Sequence, residues 1–223
     1  MGYLLHLETA TKVCSVALSL KGELKQIEEV EEEGFSHGEN LSGFIEKVVA
    51  RENISMDAIK AISLSSGPGS YTGLRIGTSV AKGLCYALEI PLIAVNSLAC
   101  LYELVKDEHP NRIVIPMIDA RRMEVYSSVY DSKGGLLEEV QAKVIDELSF
   151  ESYGEFVYCG DGAEKLKDVW MNRVGLNDVK TLSSAKGQVF VAYQKYCNEE
   201  FESLAYFEPF YLKDFMVNKK KKV

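Results

Sequence analysis

At 223 residues, with 47% hydrophobic and 26% charged side chains, the chain is long enough for one large domain or two small ones around a substantial core. Its formal net charge of −8 argues against strong independent nucleic-acid binding, which rests on neutralising phosphates. No apolar run approaches the ~18 residues of a spanning helix, the opening carries no basic leader, and five scattered cysteines (Cys14, Cys85, Cys100, Cys159, Cys197) form no Cys-x-x-Cys pair. The expectation is a cytoplasmic protein with reduced thiols and no membrane contact.

The first half reads as three strands (Tyr3 to Glu8, Cys14 to Leu20, Leu24 to Glu31), then alternating helices and strands. A capping-box start at Ser36 and Glu39 precedes Leu41, Phe44, Ile45, Val48 and Val49 at helical spacing. The run Ala58 to Leu64 is a strand, Thr72 to about Leu88 a helix, Pro91 to Val95 a strand and Ser97 to Val105 a helix. His109-Pro110-Asn111 punctuates the chain, which places a boundary near residue 110.

The second half opens in the same way: a strand from Arg112 to Ile118, a turn at Asp119-Ala120-Arg121-Arg122, and an alternating strand from Glu124 to Tyr130. Leu136 to Val140 and Phe156 to Cys159 supply further strands, and a long final helix is expected near Ser184 to Glu202. In both halves an acidic residue and an alanine follow the first strand, at Glu8 and Asp119. Two halves in matching order predict a duplicated α/β fold with a cleft between lobes 1–110 and 111–223.

Between the strand ending near Leu64 and the helix from Thr72 lies Ser65-Ser66-Gly67-Pro68-Gly69-Ser70-Tyr71-Thr72-Gly73, a glycine-rich turn where α/β folds place ligands. Ser70 or Thr72 can cap the helix. The turn fits no phosphate-binding spacing: no lysine follows the glycines until Lys82, and Thr72 stands where a dinucleotide loop needs its third glycine. Gly73, Gly77 and Ala81 then form a stripe without bulk, open to two readings, an interface with a partner or close packing of the helix on its own sheet. Asp119, Arg121, Arg122 and Glu124 form the best polar cluster, able to bind an anion or to pair among themselves at the surface. The run Glu28 to Glu33 reads as a solvated edge strand and turn, and Lys219 to Lys222 as a disordered basic tail.

Leu7-Glu8-Thr9-Ala10-Thr11, Cys14-Ser15-Val16-Ala17-Leu18, Ser36-His37, the segment Gly67 to Gly77, Asp119 to Tyr126 and Glu208-Pro209-Phe210-Tyr211-Leu212 resemble the bacterial TsaB family, also called YeaZ. The resemblance spans nearly the whole chain. It implies a duplicated ribonuclease-H-like fold of the actin, hexokinase and Hsp70 type, and a non-catalytic part in making threonylcarbamoyladenosine in tRNA. The partners it implies are the transferase TsaD and the ATPase TsaE, with a possible homodimer and with tRNA reached only through the complex.

On the same basis the chain needs no cofactor of its own, and ATP and a divalent metal belong to the partner subunits. The pairing surface it implies is the N-terminal lobe: Ser36, His37, Leu41 and Phe44 of the first helix, and Gly69, Tyr71, Thr72, Gly73, Arg75, Ile76, Gly77, Val80 and Ala81 around the second. A ligand cluster would comprise Glu8, Asp119, Arg121, Arg122 and Glu124. TsaD-like enzymes bind metal through two histidines four positions apart, and here Leu41 follows His37, so no metal site is expected. Glu8 stands where many relatives carry Asp, which lowers the case for phosphoryl chemistry. The competing functions are a glycoprotease-like peptidase and an ATP-binding phosphotransferase-like protein.

Overall fold

The computed structural model describes residues 2–31 and 37–213. Ser36, Glu32 and Glu33, and the tail Lys219 to Lys222 therefore lie outside the described residues.

Two five-stranded mixed sheets share one topology. In the first, β1 (Tyr3–Glu8), β2 (Val13–Leu20) and β3 (Glu23–Glu31) form an antiparallel meander, and β4 (Ile59–Ser65) and β5 (Leu92–Val95) add in parallel, giving the order β3-β2-β1-β4-β5. In the second, β6 (Ile113–Asp119), β7 (Glu124–Tyr130) and β8 (Leu136–Val144) repeat the meander. β9 (Phe156–Cys159) and β10 (Leu176–Val179) repeat the parallel addition, giving β8-β7-β6-β9-β10. Each half is thus a ribonuclease-H-like unit, and the fold is the expected duplication.

The burial of each strand follows its sequence. β1 and β2 are apolar and buried along almost their whole length, whereas β3, with Glu23, Lys25, Glu28, Glu29 and Glu31, is the solvated edge that the acidic run predicts. Charge on an edge strand discourages pairing with another chain. Helix α1 (His37–Arg51) covers β2 and β3 and buries Leu41, Phe44, Ile45, Val48 and Val49 in the core. Helix α2 (Tyr71–Leu88) starts where Ser70 Oγ accepts the Gly73 N–H and stops at Glu89, which is left-handed.

The helices between the sheets cross over. Helix α3 (Ser97–Val105), capped by Asn96, packs Leu98, Leu101, Tyr102 and Val105 against Val114, Ile118 and Val157 of the second sheet. Helix α4 (Val189–Cys197) packs Ala192 with Leu4, Ala61, Ile93 and Val95 of the first. The sheets divide near residue 110, but each borrows a covering helix from the other half of the chain.

Two expectations need correction. The strand Leu136 to Val140 runs on to Val144 along β7. The long final helix is only Val189–Cys197, entered through a 3-10 turn at Ala185–Gln188 and ended by Asn198 and left-handed Glu199. A β-carbon at Gly187 would run into the Cys100 carbonyl, so this turn is pressed against α3. Beyond it Glu202 bridges to Leu92, and residues 203–213 run back along the first lobe.

Candidate functional site

Glu8 and Asp119 end the first strand of each half, yet their surroundings differ. Glu8 is fully buried. One of its carboxylate oxygens accepts the Ala10 N–H at 2.7 Å and the other accepts the Ser65 hydroxyl. Ser65 Oγ in turn accepts from Gln188 Nε2 at 3.2 Å, and the same amide nitrogen donates to the Leu7 carbonyl at 2.7 Å. Gln188 Oε1 accepts the Ser63 hydroxyl at 2.7 Å; Ser63 Oγ lies 2.6 Å from His6 Nδ1, and His6 Nε2 lies 2.7 Å from Ser19 Oγ. Because Ser63 gives its one proton to Gln188, His6 must donate through Nδ1; in the neutral imidazole Nε2 then accepts the Ser19 hydroxyl.

Burial holds His6 in that state, bringing its pKa down to about 3. Burial also pushes the Glu8 carboxyl up, against the hydrogen bonds from Ser65 and Ala10 and with Asp161 nearby adding to the rise. The polar side chains from Ser19 to Glu8 are thus joined in one buried network, in which each Glu8 carboxylate oxygen accepts a hydrogen bond. The expected ligand cluster therefore splits, with Glu8 sealed inside and the other four residues at the second hairpin.

At that hairpin Asp119 is exposed and pairs with Lys165, and its carboxylate accepts the Arg121 N–H at 2.8 Å. Its own N–H donates to Asp161 Oδ1 at 3.1 Å. Burial pushes the Asp161 carboxyl up, and Gly160 and Gly162 on either side press on the Met117 and Ile118 backbone. Glu124 pairs with Lys213, and Lys165 also donates to the Glu124 carbonyl at 2.5 Å. A surface ion-pair network exists here, but lysines build it. Arg121 and Arg122 are exposed, left-handed (φ 72 and 53), and make no side-chain hydrogen bond or ion pair among the described residues. Reasoning from sequence missed Asp161, Lys165, Lys213 and Gln188; only Asp161, between two glycines after a strand, carried a local signal.

The glycine-rich turn is packed rather than open. Gly67 takes φ 109 with the Phe210 carbonyl against it, Gly69 lies on Ala10, and the Ser70 N–H donates to the Ala10 carbonyl at 2.6 Å. Of the two readings of the small-residue stripe, the structure takes the internal one. Gly73, Gly77 and Ala81 are buried; the Gly73 carbonyl accepts the Thr9 hydroxyl at 2.8 Å, and a β-carbon at Gly77 would run into Thr9 Oγ1. The stripe is bare so that α2 can approach the end of β1. Leu41 and Phe44 are likewise consumed by the core, and Ile76 and Val80 are half-buried against it. Tyr71 is half-buried with its ring 4.9 Å from that of Tyr211, and Arg75 lies over Tyr71 at 4.2 Å. The solvent-facing row of α2 is Thr72, Arg75, Ser79, Gly83 and Tyr86, with Tyr86 80% exposed.

Among the described residues no three His, Cys, Asp or Glu side chains come together as a metal site, and no helix is long and apolar enough to cross a membrane. The family model described as TsaD, tRNA N6-adenosine threonylcarbamoyltransferase, matches residues 31–217. The chain belongs to this family, on its TsaB (YeaZ) branch. The tRNA threonylcarbamoyladenosine biosynthesis protein TsaB of Escherichia coli is 28% identical over 226 residues, covering 97% of each chain. That of Haemophilus influenzae is 34% identical over 125 residues, 56% of this chain and about half (52%) of that protein. A Pseudomonas aeruginosa structure described as an uncharacterized protein with similarity to peptidase YEAZ superposes with a TM-score of 0.80 at 26% identity, covering 96% of this chain and all of that one. Fold and sequence thus place this TsaB-family chain in one lineage from end to end.

Proposed function

We propose that this chain serves tRNA threonylcarbamoyladenosine biosynthesis as a TsaB-type subunit that binds and supports a TsaD-type transferase and carries no chemistry itself. The observation that carries the reading is the end-to-end match to the Escherichia coli TsaB protein, 97% of each chain. The non-catalytic part of the reading draws on what occupies each candidate group. The Ser70 hydroxyl caps α2, His6 is buried and neutral, and both oxygens of Glu8 are engaged inside the fold. A nucleophile needs a base beside it, and these groups are spent on structure. In this reading ATP and the divalent metal sit on the partners TsaD and TsaE, and the docking face on this chain is the outer row of α2 around Arg75 and Tyr86.

Mixing the purified chain with its cognate TsaD tests the proposal. Co-elution, and tRNA modification that depends on this chain, are the expected results. Failure to co-elute, with modification proceeding equally well in its absence, sinks the reading.

A further inference from the structure

The tip of the second hairpin, Ala120-Arg121-Arg122-Met123, holds two consecutive residues at positive φ, 72 and 53. Consecutive left-handed positions favour Gly, Asn or Asp, since a β-carbon there meets a steric penalty. Two arginines accept that penalty, and among the described residues only the Arg121 backbone N–H, bound to the Asp119 carboxylate at 2.8 Å, gains a side-chain partner. Neither guanidinium has a partner among the described residues, because the two neighbouring carboxylates are held by lysines, Asp119 by Lys165 and Glu124 by Lys213. Four cations, Arg121, Arg122, Lys165 and Lys213, therefore stand against three carboxylates, Asp119, Glu124 and Asp161, at this tip, in a chain whose formal net charge is −8.

The planar donors of guanidinium groups match phosphate oxygens. The first hairpin is closed at its tip, where the Ala10 carbonyl is taken by the Ser70 N–H at 2.6 Å and Gly69 lies on it, so the exposed donors are those of the second. Lys213, which pairs with Glu124 of the same hairpin, adds its charge beside the two arginines.

We propose that Arg121 and Arg122 contact the phosphate backbone of tRNA when this chain is assembled with its transferase partner. The proposal rests on the function given above, which brings tRNA to the assembly, and it adds to that function a direct RNA contact on this subunit. The contact is electrostatic and independent of sequence.

The test uses the full chain with cognate TsaD, and measures co-elution, thermal melting and tRNA affinity by fluorescence anisotropy across a salt series. Arg121→Gln with Arg122→Gln should leave co-elution intact, weaken tRNA binding roughly tenfold at moderate salt, and lower the salt slope by roughly 1.5, as for two lost phosphate contacts. The paired Lys variant should keep most of the slope. Arg121→Asn with Arg122→Gly should melt higher than wild type while binding tRNA as weakly as the Gln pair. Unchanged affinity and slope in the Gln pair overturn the inference and leave the proposed function standing. Loss of co-elution in that pair also overturns it, by making the tip a protein contact. A wild-type chain that neither co-elutes with TsaD nor alters tRNA binding removes both.

Discussion

The hairpins 8–13 and 119–124 occupy the same place in two copies of one topology, and each begins with a carboxylate, yet one is sealed and the other open. Around the first, Thr9, Ala10 and Thr11 are buried, with Gly69 and Ser70 on Ala10 and α2 on Thr9, while Gln188 arrives from the other half of the chain to bond Ser65, which in turn donates to Glu8. Around the second, Asp119, Arg121 and Arg122 face solvent. Duplication conserved the backbone, and the segments packed onto each copy decided which hairpin became part of the core. A carboxylate at the end of a first strand is thus no guide to chemistry until its neighbours are known.

The comparison breaks most forcibly at Gly77. Leucine there would drive a branched side chain into Thr9, against the end of β1, and overpacking of this kind costs about 1–3 kcal/mol even where the core can shift. Since Thr9 is tied to the Gly73 carbonyl, Gly77→Leu is expected to lose more than about 3 kcal/mol and to unfold at much lower denaturant. A folded variant with an unchanged urea midpoint would show that the seam is looser than described. Gln188→Leu comes next. It strands the Ser63 hydroxyl and the Leu7 carbonyl, at roughly 1–3 kcal/mol per buried unpaired group, for an expected loss near 3 kcal/mol with the second lobe's sheet intact. Hydrogen exchange resolved along the chain would show the loss in β1 and β4 first.

The acid response of the sealed network has a definite sign. His6 titrates at about 3 in the fold against an ordinary 6.5, so its contribution is complete above pH 6.5 and falls as the pH drops from 6.5 towards 3. The slope is roughly 1.4 kcal/mol per pH unit, or about 2 kcal/mol by pH 5. The Glu8 carboxyl is shifted upward, so its contribution runs the other way, complete below 4.5 and declining as the pH rises above it. Chemical denaturation of wild type and His6→Asn across this range separates the two. The difference between them should shrink steadily below pH 6.5, because Asn retains a donor towards Ser63 but cannot take a proton. A constant difference would mean that His6 is open to solvent.

Much of the architecture was legible because it depends on local pattern. The apolar runs of β1, β2, β4 and β9, the helical spacing of Leu41 to Val49, the Ser70 cap and the repeated strand-turn-strand order each follow from short-range chemistry. What sequence left undecided was orientation and long-range pairing. A stripe of Gly73, Gly77 and Ala81 serves an interface or a seam equally well, and only the position of Thr9, 64 residues from Gly73, decides it. Gln188 lies 181 residues from Leu7, and Lys213 lies 89 from Glu124, so neither partner had a signal in spacing. The same holds for Arg121 and Arg122, which go unpaired among the described residues because lysines take the carboxylates that adjacent arginines would be expected to claim.

The smallest effect separates the lobes at the strap 203–213. Phe207 sits in the first core, the Phe210 N–H donates to the Ser66 carbonyl at 2.7 Å, Tyr211 rests on Tyr71, and Lys213 reaches Glu124 and the Tyr126 ring in the second lobe. The strap therefore spans both hairpins, anchored by packing at one end and by a half-exposed ion pair at the other. Pairs of that exposed kind contribute roughly 0–1 kcal/mol, and an aromatic pair about 0.5–1.5 kcal/mol beyond its burial. Tyr211→Ala should then lower stability by about 1 kcal/mol and Lys213→Ala by less, with the first change insensitive to salt and the second vanishing as salt rises. Limited proteolysis reads the same order, with cleavage near residue 213 faster in both variants and cleavage near Phe207 faster in Tyr211→Ala alone. Equal cleavage at Phe207 in the two would mean that the ion pair, and not the ring contact, holds the strap to the first lobe.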